Sequence, residues 1–390
     1  MTPVTIAAVG DVFVDRPEPA EALSGIASLL EATDVTFANF EGVLTDRHAP
    51  VPGASEATIV PTSHAAPFHV FDVLSLANNH ALDAGHGGLA DTIEALAAAG
   101  SAVVGAGPTL AAASRAAVVE RGGTRVAFVA ATSVFPMGAE AQAEVPGIAP
   151  LRVEDYYSAP VPGMHTPGVP PQVVSVVDED DWNRLAAAVD EARGGADVVV
   201  ASVHWGDHTR PWVLTDGERT CAQLLVEAGA DVVLGHHQHL PRGFELLGGK
   251  PVFYGLGHAV FDQPRLAEEF RRRGLDLEAM DDDERAAVFG EWAVYPRRES
   301  PSFPFHPLYR RSMAAVLELH GAELVRTGVA PLLVDEDGIA RPVTRRDPGW
   351  PEALAFLAEC LTRGDLATEV RDAGWVHGGC DLVELGAATA

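Results

Sequence analysis

Lysine is nearly missing from this sequence of 390 residues: Lys250 is the only one, so any grip on an anion has to come from arginine. Positive charge as a whole is scarce. Lys and Arg total 27 against 55 Asp and Glu, a formal net charge of −28, which argues against a nucleic-acid groove or an anionic membrane surface because phosphate would be repelled. Cysteine is also sparse, and Cys221, Cys360 and Cys380 show no paired spacing. Neither a disulfide framework nor a cysteine-based zinc site is indicated. No apolar run approaches the ~18 residues of a membrane span, and the opening MTPVTIAAVGDV has no basic start of the secretory kind. The expected address is the cytoplasm, with no membrane and no nucleic acid as partner.

What is present is a 47% hydrophobic and 21% charged composition, enough for a sizeable core. At roughly 100 to 200 residues per domain the length allows two or three domains, or one large layered α/β core with insertions. In the first third, short β-branched runs alternate with Ala/Leu-rich amphipathic stretches, the rhythm of βα units feeding one sheet. Strands are expected at residues 5–9, 35–38, 73–77 and 102–104, with helices at 18–30 and 88–99. Gly122-Gly123 and Gly248-Gly249 each sit between β-rich segments and predict hairpins. The βα rhythm returns with helices at 181–192 and 217–228 and strands at 198–203 and 231–234. Strands near 313–318 and 332–334, a helix at 352–361 and a glycine-rich tail complete the chain.

Two stretches break the pattern: residues 135–178, dense in proline, and residues 262–311, which end in SPSFPFHPLY. Loops this long inside an enzyme core are either lids or disordered. Their aromatic residues (Tyr156, Tyr157, Phe303, Phe305, Tyr309) favour ordered lids. The expected organisation is one domain over 1–390, with a core at 4–262 and 312–345, insertions at 135–178 and 262–311, and a C-terminal helix and tail at 350–390.

Metal-capable residues recur at the C-terminal ends of the expected strands, which is where open α/β sheets place ligands. The series runs Gly10-Asp11, Asn39-Phe40-Glu41, Asn78-Asn79-His80, His204-Trp205-Gly206 and Gly235-His236-His237-Gln238-His239. Singly, each has a plain structural explanation: a cap, a turn, a hydrogen-bonded histidine. Five at equivalent positions point to a metal site. Oxygen and imidazole donors together suit zinc, manganese or iron, and calcium if oxygens dominate, with one or two ions.

These motifs, together with Tyr254-Gly255-Leu256-Gly257-His258-x-Val260-Phe261-Asp262, resemble the CapA/PgsA family, named for poly-γ-glutamate capsule synthesis, over residues 5–262. That family is similar to the calcineurin-like metallophosphatases. The resemblance implies a four-layer αββα sandwich of the α/β class, with metals at one sheet edge. It also implies Asp11, Glu41, Asn79, His204, His237 and His239 as ligands of a divalent metal ion, Glu41 as the bridge between two ions, and His80 as an acid/base residue. His236 falls at a variable position of its motif and is expected in support. The departures are informative. The wider superfamily carries Asp-x-His where this chain has Asp11-Val12-Phe13, so one ligand of the first ion is missing. His258 stands where the family more often has Asn, and His208 where an acidic residue is common.

The ligand set permits phosphoester hydrolysis, and with a general acid such as His80 it permits amide hydrolysis, for instance of a γ-glutamyl polymer. Arg271–Arg273 and Arg297-Arg298 are the basic segments that could receive such a polyanion. A third reaction uses the surplus of histidine and aspartate. Inverting a peptide Cα needs one group to remove the proton and another to return it on the opposite face. His80, Asp83 and His86 lie in one short segment, with Asp207-His208 and His258/Asp262 on others, so two His/Asp pairs could flank a peptide substrate. Asn39, Asn78, His236, His258 and Asp262 are expected to support the site or touch substrate. Soluble chains of this type are also similar to enzymes encoded with lasso peptides, one of which epimerises the C-terminal tryptophan of its precursor. The resemblance therefore implies a metal-dependent peptide epimerase, with a metallohydrolase as the alternative and a non-catalytic component of capsule assembly as a third possibility.

Overall fold

The apolar run VTIAAVGDVF forms a first strand, Val4–Phe13, buried along almost its whole length. Burial on both faces explains why the run is continuous rather than alternating. The computed structural model describes residues 3–159, 161, 163–298, 300 and 302–387. In it, Val4–Phe13 pairs in parallel with Val35–Phe40, which continues to Val73–Ser75 and Ala102–Val104, and antiparallel with Arg311–His320 on the other side. These strands belong to a ten-stranded sheet that also contains Glu323–Val334 and His258–Phe261. A second sheet of six strands runs in the order Pro241–Leu247, Lys250–Leu256, Val232–His236, Val198–His204, Thr124–Thr132, Ala117–Arg121.

The two sheets face each other. Phe37 of the larger stacks on Phe128 of the smaller, with ring centroids 5.2 Å apart and planes 1° from parallel. One buried cluster joins both sheets, and Leu185, Val189, Cys221 and Leu225 extend it to the helices Glu179–Arg193 and Asp216–Glu227 on the outer face of the six-stranded sheet. Leu89 and Leu96 of the helix Gly85–Ala99 cover the outer face of the larger sheet. The result is the αββα sandwich that the family resemblance implies.

Both expected Gly-Gly hairpins are present, between Ala117–Arg121 and Thr124–Thr132 and between Pro241–Leu247 and Lys250–Leu256. The expected helix at 18–30 is instead a 3-10 segment, Pro19–Ile26, followed by one α-turn, Ala27–Glu31. Gly25 packs there so closely that a Cβ would lie 2.2 Å from the Ala340 carbonyl. The glycine-rich tail also differs from expectation. It forms a hairpin, Thr368–His377 with Cys380–Ala387, on the edge of the ten-stranded sheet. Gly378 (φ 53°) and Gly379 (φ 78°) supply the two positive φ angles of a tight hairpin turn.

Residues 135–178 are not a plain loop. They carry a two-stranded hairpin, Val153–Ser158 with Gln172–Val177, on which Tyr156 and Tyr157 are exposed. Within 262–311 are the helices Leu266–Arg272 and Asp282–Phe289, and here Phe303, Phe305 and Tyr309 are buried. Pro160, Pro162, Glu299 and Pro301 of these stretches, and Ala388, Thr389 and Ala390 of the tail, lie outside the described residues. Cys221, Cys360 and Cys380 are buried free thiols, each pushed up to about 12 mainly by burial. Among the described residues no helix is long and apolar enough to cross a membrane.

Candidate metal centre

The first strand delivers Asp11 to the rim between the two sheets because glycine permits a close approach. A Cβ on Gly10 would stand 1.9 Å from the Gly257 carbonyl, the group that accepts the Asp11 amide at 2.9 Å. The adjacent strand ends one residue before Glu41. Asn78, three residues past the end of the next strand, donates to the Phe40 carbonyl at 2.7 Å and to Asn39 Oδ1 at 3.2 Å, and its own Oδ1 accepts the His80 amide at 3.1 Å. Asn78 thus splices two strand ends and aims Asn79 and His80 at the rim.

From the other sheet come His204 and the His236–His239 segment. Trp205, buried directly after His204, donates to the Tyr254 carbonyl at 2.9 Å and anchors the loop that follows. His237 (φ 95°) and His239 (φ 56°) both adopt left-handed backbone, which non-glycine residues avoid. Such strain collects at functional sites.

All six expected ligands meet. Asp11, Glu41 and His204 bring ligand atoms within 4.8 Å of one another, and so do Glu41, His237 and His239. His239 Nδ1 lies 3.2 Å from Asp11 Oδ2 and 3.8 Å from Glu41 Oε2; His204 Nε2 lies 3.5 Å from Glu41 Oε1 and 2.7 Å from Asn79 Oδ1. Asn39 Nδ2 donates to Asp11 Oδ1 at 2.9 Å and steadies it. His236 stands behind, its Nδ1 3.7 Å from Asp11 Oδ1 and its ring near Phe37.

The electrostatics fit a cation. Both oxygens of Glu41, Nδ1 of His237 and Nδ1 of His239 are buried with no hydrogen-bond partner among the described residues. Orphaned buried polar atoms are costly and rare. Burial lowers the pKa of His204, His237 and His239 well below the usual value, with neighbouring histidines adding to it, so these rings are neutral and free to ligate. Burial raises Asp11, and burial with the charges of Asp11 and Asp83 raises Glu41 well above the carboxylate range. A divalent cation at the centre would reverse that penalty.

The acid/base candidates divide. His80, half-buried, holds Asp83 Oδ2 at 2.7 Å through Nδ1 and turns Nε2 toward Glu41 Oε1 at 4.0 Å. His208 Nδ1 lies 3.4 Å from His237 Nε2, and the Tyr309 hydroxyl donates to the His208 carbonyl at 2.6 Å. His86 is exposed and lines a cavity of about 810 Å³ that Asn79 also borders. That cavity also borders His80 and is walled by Phe135 and Met137 of one long stretch and Leu266 and Phe270 of the other.

Asp207 and Asp262 make their hydrogen bonds outside the cluster. Although burial opposes ionisation, hydrogen bonds from Thr209 and Arg210 hold the Asp207 carboxyl down at about 2, so it braces its own turn and is no proton carrier. Asp262 pairs with Arg16 at 2.6 and 2.7 Å. One contributor escaped the sequence: Arg242, fully buried, donates to the Asp207 carbonyl at 2.7 Å beneath the His208 loop. Phe305, expected in a lid, instead packs on His239 with centroids 4.7 Å apart. The only local signal for Arg242 is its place three residues after His239.

Residues 5–263 match the family described as "Bacterial capsule synthesis protein PGA_cap". The chain belongs to that family. Among similar proteins, the "Probable polyglutamine synthesis accessory protein" of Mycobacterium tuberculosis is 35% identical over 252 residues, 62% of this chain and 59% of that one. The "Capsule biosynthesis protein CapA" of Bacillus anthracis is 32% identical over 212 residues, 54% of this chain and 44% of that one. The matches therefore span about half of these relatives' length. A protein of Sinorhizobium fredii with no stated function is 27% identical over 420 residues, covering 90% of this chain and 87% of that one. A solved phosphatase from Mycoplasma pneumoniae aligns with 85% of this chain and 94% of its own at a TM-score of 0.45 and 10% identity.

Proposed function

We propose that this chain is a metal-dependent enzyme that inverts one Cα centre of a peptide, such as the C-terminal residue, for example tryptophan, of a ribosomal lasso-type precursor. One observation carries the reading: two half-buried histidines on separate loops, His80 and His208, border the same cluster of carboxylates and imidazoles. Inversion needs two such groups and hydrolysis needs one.

Asp83 holds Nδ1–H of His80, which leaves Nε2 as the base. His80 takes the Cα proton, and the C–H electron pair moves into the neighbouring carbonyl. The protonated form of His208 then gives a proton back from the opposite face, and proton exchange with water returns both histidines to their starting states, so nothing is consumed. In the reverse direction the two exchange roles. Asp11, Glu41, Asn79, His204, His237 and His239 would hold a divalent cation, which would supply positive charge against the negative charge that develops on the carbonyl. Three imidazoles in that donor set favour zinc, manganese or iron over calcium. The cavity of about 810 Å³, with its apolar walls, is of the size that takes a large side chain and its neighbours.

The deciding experiment is mass spectrometry of a candidate peptide incubated with metal-loaded protein in deuterated water. One non-exchangeable deuterium at Cα, with chain length unchanged, is expected. Shortened, unlabelled products would replace this reading with the second one, metal-dependent hydrolysis of an amide, γ-glutamyl or phosphoester bond. The His80–Asp83 pair beside Glu41 favours that alternative, since it supplies the single general acid a leaving amine requires. Relatives named for capsule and polyglutamine synthesis point to polymer as the substrate in that case.

A further inference from the structure

We infer that His258 is itself a metal ligand, completing the first position of the centre together with Asp11 and His239. The inference rests on the metal-centre reading and adds a residue to it.

The strand His258–Phe261 pairs in parallel with the first strand, and its register sets His258 directly opposite Asp11. An irregularity follows at once, between Asp11 and Val12. Irregularities of this kind re-aim side chains next to active sites. The ligand atoms of Asp11, His239 and His258 all lie within 4.8 Å of one another.

His258 is fully buried, and neither ring nitrogen has a hydrogen-bond partner among the described residues. A histidine kept only for packing would be expected to satisfy at least one of them. Its ring lies nearly parallel to that of His239, with centroids 4.8 Å apart and planes at 12°, and Phe305, Phe261 and Phe303 close the other sides at 4.4, 5.3 and 5.6 Å. An aromatic cage that offers no donor holds two imidazoles side by side, both beside Asp11. Phe13, two residues after Asp11, has no donor atom and packs against Phe40 and Phe261.

The consequence is a balanced centre. Asp11, His239 and His258 form one side, Asn79, His204 and His237 the other, and Glu41 reaches both, its oxygens 3.5 Å from His204 and 3.8 Å from His239. The position left open by Phe13 is filled from a strand almost 250 residues later.

The test is metal titration of chelator-treated full-length protein with zinc or cobalt, read as ions retained per chain after gel filtration and as dissociation constants. His258→Phe suits the aromatic cage and has no donor atom; His258→Ala is the second variant. Both are expected to lose one ion relative to wild type, or to bind it at least tenfold more weakly. The metal-free His258→Phe protein should melt no lower than metal-free wild type, because two orphaned nitrogens are gone. If His258→Phe folds and binds the same number of ions at the wild-type affinity, His258 is not a ligand. If wild type retains no ion, the metal-centre reading itself fails, which is a different result.

Discussion

His80 Nδ1 and Asp83 Oδ2 lie 2.7 Å apart across one turn, and the Thr58 hydroxyl holds the same carboxylate oxygen. Asp83 is thereby fixed from two sides and in turn fixes the tautomer and direction of the imidazole. Asp83→Asn is expected to lower kcat by roughly 10- to 100-fold with KM nearly unchanged, since a positioned acid/base group contributes about 10²–10⁴-fold and this change misorients it without removing it. Steady-state kinetics with metal analysis checks this; a loss of bound metal would mean that Asp83 supports the centre and not His80.

His80 and His208 should differ from each other in labelling. With one base removed, inversion stops, but the remaining group can still exchange the Cα proton on its own face. Deuterium wash-in without inversion, starting from opposite epimers in His80→Ala and His208→Ala, is the expected outcome. Identical behaviour of both variants from the same epimer would exclude a two-base site. His86, exposed at the cavity, should behave otherwise: His86→Ala is expected to raise KM and spare kcat.

Asp11→Ala and His237→Ala should each lower bound metal by at least one ion per chain, because each removes a donor from a cluster in which both Glu41 oxygens and Nδ1 of His239 have no hydrogen-bond partner among the described residues. Elemental analysis after dialysis measures this directly. Unchanged metal content in both would place the ion elsewhere.

The metal-free protein should lose stability as the pH falls from 7 to 5.5. His204, His237, His239 and His258 have folded pKa values well below the usual 6.5, chiefly through burial. The unfolded chain binds protons that the folded one does not, so their contribution is present above about pH 6.5 and is lost below it. Asp11 and Glu41, raised by burial, act in the opposite direction, but the histidines outnumber them. Melting temperatures of chelator-treated protein across this range provide the check, and a flat or rising profile towards acid would contradict it.

Much of the scaffold was legible locally. Continuous β-branched runs marked the buried strands, Gly122-Gly123 and Gly248-Gly249 marked hairpins, and polar residues just past the strand ends marked the rim. The same logic at Gly378-Gly379 would have found the terminal hairpin, whose exposed polar strands hid it. The long stretches were harder. Phe303 and Phe305 look like lid residues in sequence but are buried against His258 and His239.

The sequence by itself determined which donors stand at which strand ends, because strand periodicity and turn chemistry act over a few residues. Only the tertiary structure decided which side chains meet. Asp262, adjacent in sequence to the last motif, is claimed by Arg16, 246 residues away, whereas His258 is set against Asp11 by the register of two strands. Register is settled by the packing of whole faces, and no local pattern encodes a partner that distant in the chain.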